Sequence, residues 1–332
     1  MNVKLLRVMA SSEAPFQGPT FNLADIEQWT GRIVITGASG WIGLTTIHLL
    51  ADAFGRQWVA DHVHCFGSTP RAIVLGPDWT INQSAIDTIG DLDTRPTWLC
   101  HYAFLTKERV ADVSEDDYRR VNSEISARVH NALDAIGCDR IFLASSGAAL
   151  RAEDDDAPHD LRLYGAMKRD DERRFADWGQ RGGGRRAVIA RIFNLSGPFI
   201  NKHSAYALSS FILSAQHREP IQVRAKRPVF RAFVDARELI TLAFAEMSEM
   251  SSGFEIFDSG GTPMEIFDIA KAVSEKINKV NVERAAITEL TGDHYFGNHE
   301  RYIKLLWRHG LKHLPFDEQI QDTAAFLRAT AS

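Results

Sequence analysis

Apolar and polar positions follow two rhythms along the first two thirds of the chain. Residues 32–36 (RIVIT) form a short β-branched apolar run, and residues 41–54 (WIGLTTIHLLADAF) carry apolar side chains at helical spacing. The first predicts a buried strand and the second a helix. A strand follows at 62–68, then two short strands within 71–81 around a Gly-Pro-Asp turn, which predicts a hairpin. An aromatic-rich strand spans 97–105, and a long helix runs from about Asp116 to Ile136 with Gly137 as its C-cap. The next strand covers 140–146, a helix runs from near Tyr164 to about Trp178, and the glycine-rich loop 181–186 leads to a strand at 187–195. Strands alternating with helices in this way predict an α/β chain with a doubly wound parallel sheet, covered by helices on both faces.

Beyond residue 195 the pattern is less regular, with helices expected near 205–217, 236–248, 265–278 and 316–329. The expected organisation is an N-terminal extension (1–30), a dinucleotide-binding domain (31–195), and a smaller, mostly helical substrate lobe (196–332). Within that lobe, residues 225–258 are expected to return to the first domain.

Composition narrows the function classes. The 332 residues carry a formal charge of −5, which argues against a nucleic-acid partner. The mixed run Arg169–Arg174 (RDDERR) and the acidic run Glu153–Asp156 read as solvated surface. Cys65, Cys100 and Cys138 are far apart and form no CxxC pair, so no metal site or disulfide framework is expected, and a cytoplasmic location fits. No apolar run reaches the ~18 residues of a membrane span. The start, with Lys4 and Arg7, has the faint look of a secretory leader, but its apolar stretch is too broken and Glu13 follows closely, so none is expected.

The candidate chemistry begins at TGASGWIG, residues 36–43, between the first strand and helix. Gly37 permits a tight turn, Gly40 lets backbone approach a pyrophosphate, and Gly43 allows close helix–strand packing. Ser39, Trp41 and Ile42 complete the loop, and the helix N-terminus presents free N–H groups to phosphate. The end of the second strand, Gly67-Ser68-Thr69-Pro70-Arg71, has no carboxylate for a ribose 2′-hydroxyl. Ser68, Thr69 and Arg71 suit a 2′-phosphate instead, so NADP is expected over NAD; the alternative for Arg71 is a solvated hairpin position.

Tyr164 and Lys168 lie four apart on one helix face, after a strand that ends in Ser145 and Ser146. Together with the glycine loop, this order resembles the extended short-chain dehydrogenase/reductase family in its NAD-dependent epimerase/dehydratase branch. That family combines TGxxGxxG, a serine after the fifth strand, and YxxxK. Softer matches are LCHYAF (with His101 and Ala103), Asn122, ARIFNLSGP and FRAFVDARELI. The resemblance implies a Ser146/Tyr164/Lys168 catalytic set, with Tyr164 and Lys168 also touching the cofactor beside His101, Ala103 and Asn122. It implies that Asn194 and Arg231 contact the diphosphate of a nucleotide sugar, with His203 near the pocket. A homodimer pairing through the helices at 116–136 and 164–178 is implied as well.

The chemistry is consistent with those residue types. Hydride transfer at an alcohol or ketone carbon needs a proton moved at the oxygen. A nearby ammonium is expected to lower the Tyr164 pKa toward neutrality, while Ser146 donates to the substrate oxygen. The acid/base pair of the 4,6-dehydratases is replaced by Gly147, Ala148 and Ala149, and Leu150 and Arg151 stand where the family has Tyr-Gly. C4 epimerisation or ketone reduction remains. The alternatives are a non-catalytic NADP-binding regulator and a reductase of a small non-sugar ketone; the alternative for Arg231 is a structural ion pair with Asp235 or Glu238.

Overall fold

The computed structural model describes residues 30–330 other than 204; the expected extension 1–30 falls almost wholly outside the described residues. Strand β1 (Arg32–Thr36) is buried along its whole length and turns through the glycine loop into helix α1 (Trp41–Phe54). A short helix α2 (Arg56–His62) leads into β2 (Val63–Gly67), and the hairpin β3 (Arg71–Gly76) and β4 (Trp79–Ala85) follows. Strand β5 (Thr97–His101), helix α3 (Glu115–Ala132), β6 (Cys138–Ser146), helix α4 (His159–Gln180) and β7 (Arg186–Ile192) complete the alternation.

The eight-stranded sheet has the order β12-β7-β6-β5-β1-β2-β4-β3, with β12 (Gly253–Asp258) contributed from late in the chain. All neighbours are parallel except the β3–β4 hairpin. One face packs on α1 and helix α6 (Ala236–Glu249); the other packs on α3 and α4. This is the doubly wound α/β arrangement of a Rossmann fold. Arg32 is fully buried at its base, where its guanidinium donates to Thr97 Oγ1 (3.0 Å), Asp93 (2.8 Å) and the Ile136 carbonyl (3.0 Å).

The lobe is built from α5 (Ala207–Gln216), α7 (Ile266–Ile277) and α9 (Phe316–Thr330), which share a core with Trp41. It also holds small sheets the pattern did not predict: β8 (Leu195–Ser196) with β11 (Val234–Asp235), β9 (Ile221–Val223) with β14 (Val282–Arg284), and β10 (Val229–Arg231) between β13 (Met264–Glu265) and β15 (Asp293–Tyr295). Helix α8 (His299–Arg308) was also not anticipated, although Tyr302, Leu305 and Leu306 line one buried face of it.

Three boundaries differ for local reasons. The strand expected over 97–105 ends at His101, because the Tyr102 and Ala103 N–H groups turn back onto the Thr36 hydroxyl. Helix α3 stops at Ala132, and Gly137 closes the turn beyond it with φ +73° rather than capping the helix. Helix α4 starts five residues before Tyr164, after Pro158, whose ring presets φ for helix entry. No helix among the described residues is long and apolar enough to cross a membrane.

Candidate active site

The glycine loop forms a cradle that side chains would close. Gly37 has φ +71°, and a Cβ there would lie 2.8 Å from the Ala103 nitrogen. At Gly43 a Cβ would come within 2.6 Å of the Gly37 and Ala38 carbonyl oxygens. Gly40 is the N-cap of α1 and supplies no side-chain cap, so the first-turn N–H groups stay available to an anion. These features fit a dinucleotide pyrophosphate. Trp41 is used differently: its indole N–H donates to the Pro198 carbonyl (2.6 Å) and its ring tilts against Tyr206, tying α1 to the lobe. Ile42 packs on the sheet core.

At the end of β2, Gly67 leaves room for the Gln83 amide, which donates to the Thr69 carbonyl (2.8 Å). Ser68, Thr69 and Arg71 are exposed, and the Arg71 guanidinium donates to the Ser39 hydroxyl of the glycine loop. Arg71 is therefore held over the cradle rather than left free in solvent.

Ser146 ends β6, and α4 brings Tyr164 and Lys168 alongside it. Ser146 Oγ accepts from the Ala148 N–H (3.2 Å) and lies 3.4 Å from the Tyr295 hydroxyl. Lys168 is 5% exposed; its Nζ donates to the Ala144 carbonyl (2.9 Å) and sits 3.9 Å from the Phe104 ring centre and 6.0 Å from that of Tyr164. Burial lowers its pKa to about 8, against the opposing pull of Asp171 and Glu172.

The expected depression of the Tyr164 pKa does not appear in the chain by itself. Burial pushes the phenol well above its ordinary range, and the opposing contribution comes from Ser146.

The other proposed cofactor residues form the back of the cradle. His101 is 2% exposed, its Nδ1 lies 2.7 Å from Thr36 Oγ1, and burial with the Lys168 charge lowers its pKa to about 3. Ala103 places its backbone against Gly37. Asn122 is fully buried and its Oδ1 accepts from the Leu105 N–H (2.8 Å), which fixes the segment after β5.

On the lobe side, the Asn194 amide donates to the Ala232 carbonyl (3.1 Å) and lies 3.4 Å from that of Tyr295. His203 is hydrogen-bonded to the Ile200 carbonyl (2.8 Å). Arg231 is ion-paired with Asp293 (2.7 Å), not with Asp235 or Glu238. Asp235 caps α6 and pairs with Arg237, and Glu238 accepts from Leu314 N–H and pairs with His313. A cavity of about 130 Å³ opens beside Arg231, lined by Phe233, Met264, His313 and Phe316. Lys202 bridges to Glu108 (2.7 Å), linking the lobe to the segment after β5.

Two features of the site escaped the sequence reading. Tyr295 has no motif around it, and only the β10–β15 pairing brings it to Ser146. Asp171 and Glu172, assigned to a solvated face, are 4% and 2% exposed. The acidic run at 153–156 is in part ion-paired, Glu153 to Arg169 (2.7 Å) and Asp154 to Arg151.

Known proteins share this architecture. Over a 174-residue stretch the chain is 28% identical to a UDP-glucose 4-epimerase of Azospirillum brasilense, covering 50% of this chain; it thus spans about half the length of that curated relative (49%). Among solved structures, MoeE5 in complex with UDP-glucose and NAD superposes with a TM-score of 0.69 at 18% identity, over 91% of this chain and 100% of that one. The UDP-glucose 4-epimerase of Thermus thermophilus in complex with NAD gives 0.64 at 19% identity, over 90% and 99%. At these identities the superpositions establish the fold. Residues 33–258, from the first buried strand to the end of β12, match a family description as a continuous segment, and by that match the chain belongs to the NAD dependent epimerase/dehydratase family.

Proposed function

We propose that the protein is an epimerase acting at C4 of a nucleotide sugar, with Ser146, Tyr164 and Lys168 as its catalytic residues and residues 196–332 as the substrate lobe. The observation that carries this reading is the convergence of the Ser146 hydroxyl, the Tyr164 phenol and the buried Lys168 amine beside the glycine cradle. When bound, the dinucleotide supplies the hydride acceptor and donor. The chain moves the proton: Tyr164, as the phenolate, would take it from the sugar hydroxyl and return it to the same oxygen. Ser146, whose Oγ lies 3.4 Å from the Tyr295 hydroxyl, would donate to the same oxygen. Arg231 and Asn194 are assigned to the diphosphate, His203 lies at the pocket rim, and the lack of an acid/base pair at 147–149 argues against dehydration. We assign the working form as a cytoplasmic homodimer pairing through α3 and α4.

The curated relative is a UDP-glucose 4-epimerase, which makes UDP-glucose the first substrate to test. Sugar NMR of UDP-glucose incubated with protein and dinucleotide is expected to show the C4 epimer accumulating to equilibrium. Arg231→Ala is expected to raise KM about tenfold or more. No conversion of UDP-glucose or its N-acetyl analogue overturns the epimerase reading; stoichiometric oxidation or reduction of free cofactor instead supports the reductase alternative.

We assign the cofactor as NADP. The support is the absence of a carboxylate between Gly67 and Arg71 and the seating of the Arg71 guanidinium on Ser39. A charge-assisted contact to a 2′-phosphate is worth about tenfold in Kd or more. NADP is thus expected to raise the melting temperature further than NAD at equal concentration, and Arg71→Ala to erase the difference. Stronger stabilisation by NAD overturns the assignment.

A further inference from the structure

Lys168 is a buried amine, and a charge there needs partners in place of the hydration it has lost. Its Nζ donates to the Ala144 carbonyl at 2.9 Å. It also lies over the face of Phe104, 3.9 Å from the ring centre, well within the range at which the negative face of an aromatic ring attracts a cation. The same ring meets Tyr164 edge-on, with ring centres 5.7 Å apart. Phe104 therefore touches both members of the Tyr164–Lys168 pair.

The ring is fixed from both sides. Before it, the Tyr102 and Ala103 N–H groups donate to Thr36 Oγ1 (3.2 and 3.3 Å). After it, the Leu105 N–H donates to Asn122 Oδ1 (2.8 Å), and the Leu105 carbonyl accepts from the Tyr118 hydroxyl (2.7 Å). The side chain itself packs in a cluster with Tyr118, Leu163 and Met167. A backbone pinned at 102, 103 and 105 leaves residue 104 little choice of where its ring points.

We infer that Phe104 is a positioning residue for the proton step: its ring face holds the Lys168 ammonium beside Tyr164. The inference rests on the roles proposed above for Tyr164 and Lys168. The other groups around the amine are engaged elsewhere or uncharged. On α4, Asp171 and Glu172 favour the charge, but Glu172 is committed to Arg191 and Ser145, and Asp171 Oδ2 has no hydrogen-bond partner. From β5, His101 is a neutral imidazole. From β6 come the Ser145 and Ser146 hydroxyls, from α3 Tyr118 and Asn122, and from β15 Tyr295, all uncharged. Glu108, in the segment after β5, is paired with Lys202 of the lobe. Burial brings the Lys168 pKa down to about 8, so a gain of even one unit from the ring decides how much of the amine is charged near neutrality.

The test varies the charge on the ring face while nearly keeping its shape. Protein labelled at the lysine ζ-nitrogens, with Lys168 assigned through Lys168→Met, is titrated by NMR without substrate. Position 104 carries in turn phenylalanine and its mono-, di- and trifluorinated analogues, which drain the negative face step by step. The Lys168 midpoint is expected to fall along the series, by about half a pH unit to one unit at the trifluorinated ring, roughly three- to tenfold in its protonation constant. Phe104→Leu is expected to lose about as much, and Phe104→Tyr to stay within about 0.3 unit. An unmoved midpoint across the fluorinated series overturns the inference, as does a shift confined to Phe104→Leu, which would assign the effect to packing alone. In turnover, the alkaline limb of kcat is expected to follow the midpoint down; a limb that stays while the midpoint moves removes Phe104 from the proton step. The titration needs no turnover, so a failed nucleotide-sugar assignment leaves its outcome intact.

Discussion

Replacing Tyr164 with Phe is expected to lower kcat by about 10³-fold or more, some 4 kcal/mol of barrier, while dinucleotide binding stays within about threefold of wild type. The asymmetry follows from where the parts lie. The phosphate cradle is built from backbone at Gly37, Gly40 and Gly43, on elements that the Tyr164 hydroxyl does not support. Removing one phenolic oxygen leaves the ring on Phe104 and leaves Ser146 with the Ala148 N–H and Tyr295 as neighbours. What disappears is the group that moves the proton at the substrate oxygen. Initial rates with isothermal binding of the dinucleotide check both halves; turnover within tenfold of wild type would remove Tyr164 from the mechanism. Tyr295 is a phenol at the same place, so residual activity in Tyr164→Phe that vanishes on adding Tyr295→Phe would reassign the proton to the second tyrosine.

Replacing Glu172 with Ala is expected to be the most damaging change to stability outside the sheet itself. Glu172 joins α4 to the ends of β6 and β7 through Ser145 and Arg191, and its carboxylate is 3% exposed. Breaking a buried pair by removing one partner typically costs about 3–5 kcal/mol, because the remaining charge is stranded. Asp258 lies 4.0 Å from Arg191 and offers partial compensation, which places the expected loss near the lower end of that range. A fall in melting temperature of roughly 4–5 °C follows for a chain of this size. Glu172→Gln preserves shape and one acceptor and is expected to lose less. Thermal or urea unfolding decides it: a melting temperature within about 2 °C of wild type for Glu172→Ala would mean the carboxylate contributes no net stability.

Much of the fold was legible because its signals are local. An apolar β-branched run followed by glycines and an amphipathic helix predicts β1, the loop and α1 with no knowledge of neighbours, and the structure keeps those bounds. The hairpin after β2 was equally visible from its Gly-Pro-Asp turn. Helix α8 was missed although its signal is local too: Tyr302, Leu305 and Leu306 recur at helical spacing and form its buried face. The run RDDERR shows the limit most clearly. Charge alone assigns it to solvent, yet the four-residue step from Lys168 to Glu172 turns the carboxylate inward, where Arg191 from a later strand meets it.

The sequence by itself determined the alternation of strands and helices, the glycine cradle and the spacing that puts Tyr164 and Lys168 on one helix face. Each depends only on residues within a turn or two, where covalent geometry sets what can face what. Tertiary structure alone decided which polar groups share a buried space. It brought Tyr295 to Ser146 across 149 positions, paired Arg231 with Asp293 across 62, and turned Glu172 inward onto Arg191. Those choices set the charge of the site, because the strength of a buried ion depends on its partners in space, and the chain chooses them only by folding.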